Sequence, residues 1–249
     1  MSKRDSRPIN PINIVNQARM LSRNESLKVI HEIELFLAST NEFLPADLDE
    51  MILRSNYSFF WHAINCIFTA RNLIVAGNES PAAVLLRVAI EHATYMEWMR
   101  TAPKAFERFE YCCRSRNLRI NNERYEMGFS IDKVDPITVG LEKKSEQLDF
   151  SSILAELNER RPDIRGIWEN LSFYVHPSLQ TIDKYVIDEK DNKIVLNEIV
   201  QLPEKELSWY AAVISFRLLN EYLTIDVSYP NAKNFLQKIA DDLKISFRN

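Results

Sequence analysis

A few charged and polar residues interrupt a stretch of the chain that is otherwise apolar. Between Ser80 and Arg100, the residues Arg87, Glu91 and Thr94 are spaced as i, i+4 and i+7. At about 100° per residue these three share one helix stripe, whereas His92 lies about 140° from Arg87. A charged pair in a buried helix is costly unless it is mutually satisfied. The pattern indicates either an internal ion pair that fixes helix packing or a polar pocket lined by Arg87 and Glu91, which would then be candidate catalytic groups.

A hydroxyl and a second imidazole recur together later in the chain. Ser172 and His176 are i, i+4 within the sequence WENLSFYVHP, so they share a helix face. Because Pro177 disfavours helical backbone at the residue before it, we expect His176 at the helix end, where the dipole favours a protonated imidazole. Two interpretations stay open: a histidine that only ties down the helix end, or a catalytic His176 with Ser172 as a substrate-binding neighbour.

A third polar stripe precedes the first one. Its members are spaced by four and three residues in turn, which places them on one helix face: Ser58, His62, Asn65, Thr69 and Asn72. The stripe is either a solvent-exposed face or the opposite wall of an internal cleft, where His62 and Asn65 would bind substrate. None of these residues has the spacing of a metal-binding motif, so we predict no metal and no cofactor.

The segment that follows Pro103 is the most basic part of the chain. Arginines and a lysine outnumber the acids, and aromatic residues are interleaved with them: Lys104, Phe106, Arg108, Phe109, Tyr111, Arg114, Arg116, Arg119, Arg124 and Tyr125. Such a mixture is typical either of a nucleic-acid surface or of a solvated helix face. On the first interpretation, Arg108, Arg116 and Arg119 would bind substrate RNA.

The elements that must position these residues are predicted to be helices. Six prolines precede helix-periodic runs, which is a common start signal: Pro45, Pro81, Pro103, Pro162, Pro203 and Pro230. The run after Pro45 extends to about Ala76, with Gly77 as a C-cap. The stretch 80–100 has almost no polar face, so it should be a buried helix. Two further helices are expected at about 204–226 and 231–246, and Met127–Gly140 is the expected loop.

One segment departs from the helical pattern. Two β-prone runs flank the polar turn Glu189–Asn192, which predicts a small β-hairpin near 184–199. The fold class is therefore all-α, a multi-helix bundle with one hairpin. We predict a flexible segment over 1–13 and a single helical domain over 14–249.

Composition narrows the function classes. The 249 residues carry a net charge of −4, so nucleic acid could be attracted only by a local patch. Four dispersed glycines exclude a glycine-rich phosphate loop. Three cysteines without CxxC spacing argue against a disulfide framework and favour the cytoplasm. The most hydrophobic stretch, Phe59–Val75, is interrupted by polar residues, and the first residues lack an apolar leader, so neither a membrane span nor a signal peptide is expected.

The hexapeptide Arg87-Val-Ala-Ile-Glu-His92 resembles the Arg-x4-His signature of the HEPN superfamily, helical proteins that include metal-independent ribonucleases. That resemblance implies that Arg87 steadies a phosphate and that His92 serves in acid–base attack by a ribose 2′-hydroxyl. Val88 departs from the family, which usually has a polar residue after the arginine. The family motif also lies in a late helix, whereas this one precedes the midpoint of the chain.

A second resemblance covers residues 54–178. The LLR-x-x-x-E helix and the downstream Ser-x-x-x-His-Pro are similar to an uncharacterised bacterial all-helical family, domain-of-unknown-function family 5677. Arg87, Glu91, Ser172, His176 and Pro177 match its pattern, which implies a shared polar centre but no reaction.

Two functional hypotheses follow. The first is a cytoplasmic HEPN-like protein that cleaves RNA without a metal, as a toxin or antiviral defence effector. The alternative is a non-enzymatic helical binding or assembly module with a structural Arg-Glu-His centre. The expected partners are RNA, a second copy in a homodimer, or another protein.

Overall fold

A computed structural model describes residues 20–40, 42–129, 150–158, 162–175, 186–190, 193–196 and 204–245. The fold is all-α, as the sequence predicts. Eight helices occur in the described residues: α1 (Arg23–Leu37), α2 (Glu50–Val75), α3 (Glu79–Thr101), α4 (Ala105–Glu126), α5 (Phe150–Asn158), α6 (Pro162–Val175), α7 (Glu204–Tyr222) and α8 (Ala232–Leu243).

The central element is α3, which packs against α2, α4, α5, α6 and α7. Side chains around most of the circumference of α3 are buried. One strip of the helix is less buried, and Val84 on that strip is exposed. The prediction of a buried helix over 80–100 is confirmed, and its physical reason is the lack of a polar face. Because neighbouring helices surround α3, its polar residues lie close to side chains from several elements.

A second apolar helix completes the core. α7 packs against α1, α2 and α3, and α8 closes one side of it. Residues Leu207 to Phe216 of α7 are all buried. The largest of them are Trp209 and Tyr210, whose ring planes are tilted against each other and whose ring centroids lie 5.7 Å apart. The expectation that this helix belongs in the core is confirmed.

Helix boundaries follow capping chemistry. The side chain of Asp49 accepts hydrogen bonds from the N–H groups of Met51 and Ile52 and so begins α2. At the other end Gly77 has φ +75°, and Asn78 N–H donates to the Leu73 carbonyl at 2.8 Å, which is a Schellman cap. The predicted Gly77 cap is confirmed.

Each proline signal lies within a few residues of the start of a helix, and the signal at Pro45 is the furthest from its helix. Pro162 is the first residue of α6, Pro81 lies in the first turn of α3, and Glu204 follows Pro203 directly. α2 begins five residues after Pro45, because Pro45 forms an isolated antiparallel bridge with Asp226 and the cap is Asp49. The prediction that α2 starts at Pro45 is therefore wrong.

Two strands, β1 (Val186–Lys190) and β2 (Lys193–Leu196), pair antiparallel. The helices dominate the described residues, so the fold class is unaffected by this pair. The segment 1–13 and most of the loop predicted over Met127–Gly140 lie outside the described residues. A single domain over 14–249 stays a prediction.

Candidate functional site

Two histidines from neighbouring helices are hydrogen-bonded to each other. His62 lies on α2 and His92 on α3, and His62 Nδ1 is 3.0 Å from His92 Nε2. The other ring nitrogen of His92, Nδ1, is 2.8 Å from the carbonyl oxygen of Val88. A carbonyl can only accept, so His92 Nδ1 carries a proton. When His92 is neutral, its Nε2 is therefore the acceptor, and His62 Nδ1–H donates to it.

The environment of His92 favours its neutral form. Burial lowers the pKa of His92, a hydrogen bond to the Val88 carbonyl opposes that shift, and the charge of His62 adds to it. His62 itself is exposed. Since its Nδ1–H is used toward His92, its second nitrogen, Nε2, is the atom that can accept a further proton. The pair can thus hold one extra proton without losing its hydrogen bond.

Aromatic rings enclose the inner side of this histidine pair. Phe59 meets His92 edge-on, with ring centroids 5.0 Å apart, and also contacts Tyr95 at 6.0 Å. Tyr95 in turn lies 5.8 Å from Phe150, which lies 5.2 Å from Trp168. The row of rings runs from α2 across α3 to α5 and α6. It removes water from one side of His92, which is the physical cause of the lowered pKa.

Arg87 and Glu91 form an ion pair at the far end of that row. Arg87 Nε donates to Glu91 Oε1 at 3.1 Å, and Trp168 Nε1–H donates to the same oxygen at 3.0 Å. The guanidinium carbon lies 5.1 Å from the centroid of the Trp168 ring, which adds a cation–π contact. The side chains of Arg87 and Glu91 keep 15% and 29% of their exposure. This arrangement joins α3 to α6 through one carboxylate.

Arg87 and His92 lie on the two sides of one strip of α3. Arg87 contacts α6 and His92 contacts α2, as their separation of about 140° around the helix requires. Val84 and Val88 fall between them by the same helical arithmetic, and Val84 is exposed. A ligand on this strip would have the imidazole pair on one side and the guanidinium on the other. Thr94, expected on the same stripe as Arg87, donates to the Ile90 carbonyl at 2.7 Å and is buried.

The polar stripe of α2 is a solvent face. All five of its members are exposed: Ser58, His62, Asn65, Thr69 and Asn72. The interpretation as a wall of an internal cleft is wrong for the stripe as a whole, because α2 buries its apolar residues Phe60, Ile64, Ile67 and Ile74 instead. Of these five side chains, it is His62 that is hydrogen-bonded to a residue of α3, His92. Asn65 lies one turn further along the exposed face.

The serine of the later motif bonds within its own helix. Ser172 Oγ donates to the Trp168 carbonyl at 2.6 Å. Ser172 therefore supports the helix turn that carries Trp168. His176 and Pro177 lie outside the described residues.

Arg108 of the basic helix α4 was predicted to bind RNA, but it contacts a neighbouring helix instead. Arg108 bonds Glu156 on α5 at 2.9 and 3.2 Å and lies over the ring of Trp98, whose Nε1–H donates to Glu156 at 2.7 Å. Burial acts against ionisation of Glu156, but the hydrogen bonds from Trp98 and Arg108 outweigh it and hold the pKa of this carboxyl below its usual value. Arg108 is thus engaged in anchoring α5.

The aromatic residues of α4 are divided between two environments. Phe106 and Phe109 pack inward on the cluster around Trp98, so they are not interleaved with the arginines on one surface. Arg116 and Arg119 are exposed, and Arg119 Nε lies 3.7 Å from Glu123. The prediction of a single basic and aromatic surface is wrong for Phe106 and Phe109, because helix packing takes them to the core.

Sequence reasoning missed a buried network between α3 and α7. Arg217 bonds Glu97 at 2.6 Å, with side-chain exposures of 11% and 6%. One turn away, Arg100 bonds Glu221 through two hydrogen bonds at 3.0 and 3.2 Å. Burial raises the pKa of Glu221, and the arginine beside it opposes that shift. The sequence offers one signal for this network, which is that charged residues occur within two strongly apolar helices.

Comparison of the chain with protein-family models, with characterised proteins and with solved structures finds no match. Among the described residues, no three His, Cys, Asp or Glu side chains are grouped so that they could hold a metal ion. In that same part of the chain, none of the helices has both the length and the hydropathy that a membrane span needs.

Proposed function

We propose that this chain is a metal-independent endoribonuclease of the kind its HEPN resemblance implies, acting as a toxin or antiviral defence effector. The observation that supports the proposal most directly is the 3.0 Å contact between His62 Nδ1 and His92 Nε2. It joins a half-buried neutral imidazole to an exposed one, which is a suitable arrangement for taking up and returning a proton.

The proposed reaction needs no group beyond this chain and the RNA. The unprotonated Nε2 of His62 removes the proton of a ribose 2′-hydroxyl, and the 2′-oxygen attacks the adjacent phosphorus. The bond from phosphorus to the 5′-oxygen breaks, and the leaving oxygen takes the proton that His62 Nε2 had removed from the 2′-hydroxyl, which returns His62 to its starting form. The products are a 2′,3′-cyclic phosphate and a 5′-hydroxyl. Arg87, on the other side of the strip, would balance the phosphate charge, while His92 orients His62.

The test is cleavage of a fluorescent RNA by the purified full chain in EDTA. We expect ends bearing a cyclic phosphate and a loss of about 100-fold or more in His62→Gln and in His92→Gln. Thr69→Ala is the matched control, since Thr69 is exposed on the same face of α2 two turns from His62 and should leave the rate unchanged. His176→Ala, tested beside them, shows whether the histidine of the later motif contributes. Cleavage that requires a divalent cation, or that survives both histidine variants, would contradict the proposal.

A second candidate function is a non-enzymatic helical module, favoured by the double role of Glu91. One carboxylate oxygen accepts from both Arg87 and Trp168, which is what a structural tie between α3 and α6 would do. On this hypothesis Arg87→Met should lower the free energy of unfolding by about 1–2 kcal/mol, because the partly exposed Glu91 carboxylate loses its cation but keeps its hydrogen bond from Trp168. A folded Arg87→Met variant with wild-type stability but impaired cleavage would favour the enzyme instead.

A further inference from the structure

The nitrogens of the histidine pair are spaced as two ligands of one metal ion would be. His62 Nδ1 on α2 and His92 Nε2 on α3 lie 3.0 Å apart. An ion that bonds two imidazoles at about 2.0–2.1 Å holds their nitrogens about 2.9–3.4 Å apart, for bond angles between a right angle and the tetrahedral angle. The observed separation falls within this range. An ion can therefore take the place of the hydrogen-bonding proton without a shift of either helix.

The two imidazole rings also meet at an angle. Their centroids lie 4.8 Å apart, and their planes are tilted by 49°. A straight hydrogen bond would place the centroids further apart, because one ring radius would add to each end of the 3.0 Å contact. The rings of His62 and His92 thus do not point directly at each other. A bent arrangement suits a shared ion, since an ion bonded to both nitrogens lies to the side of the line that joins them.

The surroundings of His92 prepare its Nε2 to bind a metal. Nδ1–H donates to the Val88 carbonyl at 2.8 Å, so the lone pair of the neutral ring is on Nε2. Metal-binding histidines almost always make such a bond with their second nitrogen, because it fixes both the tautomer and the ring orientation. The edge-on contact with Phe59 restrains the same ring from another side. His92 therefore already has the supporting contacts that a metal ligand needs.

His62 presents the second ligand from the solvent side. Its ring is exposed, so water can reach an ion bound between the two histidines and fill the remaining coordination positions. Imidazole suits Zn²⁺, Ni²⁺ and Cu²⁺, whereas Mg²⁺ and Ca²⁺ prefer oxygen ligands. The described part of the chain offers no group of three metal-binding side chains, so an ion at this pair has two protein ligands from that part. Such an ion exchanges readily with solvent.

We infer that His62 and His92 together form a two-imidazole site for a divalent transition-metal ion such as Zn²⁺. The ion acts as an inhibitor. When His62 Nδ1 is bonded to the metal, the neutral ring carries its proton on Nε2, the atom that removes the 2′-hydroxyl proton in the proposed reaction. This inhibitory effect rests on the proposed function, but the binding of the ion does not.

Calorimetric titration of the full chain with ZnCl₂, without RNA, tests the site. We expect one equivalent of Zn²⁺ that His62→Gln and His92→Gln each bind at least tenfold more weakly, and no binding of Mg²⁺. His31→Gln is the matched control, because His31 is an exposed histidine on α1 beside Glu34, and this variant should bind zinc as the wild type does. Circular dichroism establishes that each variant is folded, and His62→Gln changes an exposed residue.

Nuclear magnetic resonance locates the bound ion independently of affinity. The ring-proton signals of His62 and His92 should shift as zinc is added, whereas that of His31 should not. The inference is overturned if no ion binds, if both histidine variants bind zinc as tightly as the wild type does, or if the two ring signals do not move.

RNA cleavage with and without zinc separates this inference from the proposed function. Zinc should inhibit cleavage by the wild type at the concentrations at which it binds, and EDTA should restore the activity. Full activity with the ion bound at His62 and His92 would overturn the inhibitory role. A chain that binds zinc through these histidines but never cleaves RNA would refute the ribonuclease and still establish the metal site.

Discussion

His62 donates a hydrogen bond to His92, although the two residues lie 30 positions apart on different helices. The Val88 carbonyl requires a proton on His92 Nδ1, and His62 Nδ1 then supplies the proton in the 3.0 Å bond to His92 Nε2. The outcome is one neutral, half-buried imidazole and one exposed imidazole whose outer nitrogen can exchange protons. Four predictions test this arrangement and the packing that supports it.

The folded protein should lose stability in acid through His92. Because burial lowers the pKa of His92 below its ordinary value of 6.5, the unfolded chain binds a proton more readily than the folded chain. The stability contributed by neutral His92 is present above that value and is lost as the pH falls below it. Urea unfolding at several pH values should show a smaller loss in His92→Gln than in the wild type. Thr69→Ala, an exposed change on α2 that alters no ionisable group, is the control and should retain the wild-type acid response.

Arg217→Met should be strongly destabilising. It removes the guanidinium that faces Glu97 and leaves a carboxylate in a site with 6% exposure, which we expect to cost about 3–5 kcal/mol in the free energy of unfolding. Arg54→Met breaks an exposed i, i+4 pair with Glu50 and should cost less than about 1 kcal/mol. Equal losses in the two variants, measured by urea unfolding, would show that burial does not govern the cost.

Asp226→Ala should destabilise the protein and also loosen the backbone around Leu44 and Ser228. The change removes the acceptor for Leu44 N–H, Ser228 N–H and Tyr222 OH, and we expect a loss of about 2–3 kcal/mol in the free energy of unfolding. Faster amide hydrogen exchange should appear at Leu44 and Ser228. Tyr222→Phe removes one of the three bonds and should cost about 1 kcal/mol. Unchanged exchange at Leu44 in Asp226→Ala would be inconsistent with this role.

Glu91→Gln should strengthen RNA binding if Arg87 contacts phosphate. The amide oxygen can still accept from Arg87 and Trp168, but the negative charge beside the guanidinium is gone. Removing a unit charge about 4 Å away is worth about 1 kcal/mol in water, or roughly fivefold in affinity. Fluorescence anisotropy with a labelled RNA measures the change. Glu50→Gln, at an exposed acid paired with Arg54, should have no effect, and weaker RNA binding by Glu91→Gln would count against Arg87 as the phosphate contact.

Helix periodicity predicted burial correctly for helices with one clear apolar side and for helices with no polar side. It located α3 and α7 as core elements and placed Arg87 and Glu91 on one stripe, because these features depend only on local spacing. It left the stripe of α2, and the direction in which Phe106 and Phe109 face, undecided. A run of polar residues at helical spacing has the same pattern whether it faces water or a cleft, and an aromatic residue in a basic helix has the same spacing whether it faces out or in.

The sequence alone determined the helical class, the burial of α3, the Gly77 cap and the neighbours within single helices, since those follow from residues a few positions apart. Only the tertiary structure decided which side chains meet across helices. The pairings of His62 with His92, Glu91 with Trp168 and Glu97 with Arg217 join residues 30, 77 and 120 positions apart. Helical spacing states which side chains share a face, but packing of the whole core determines what that face meets.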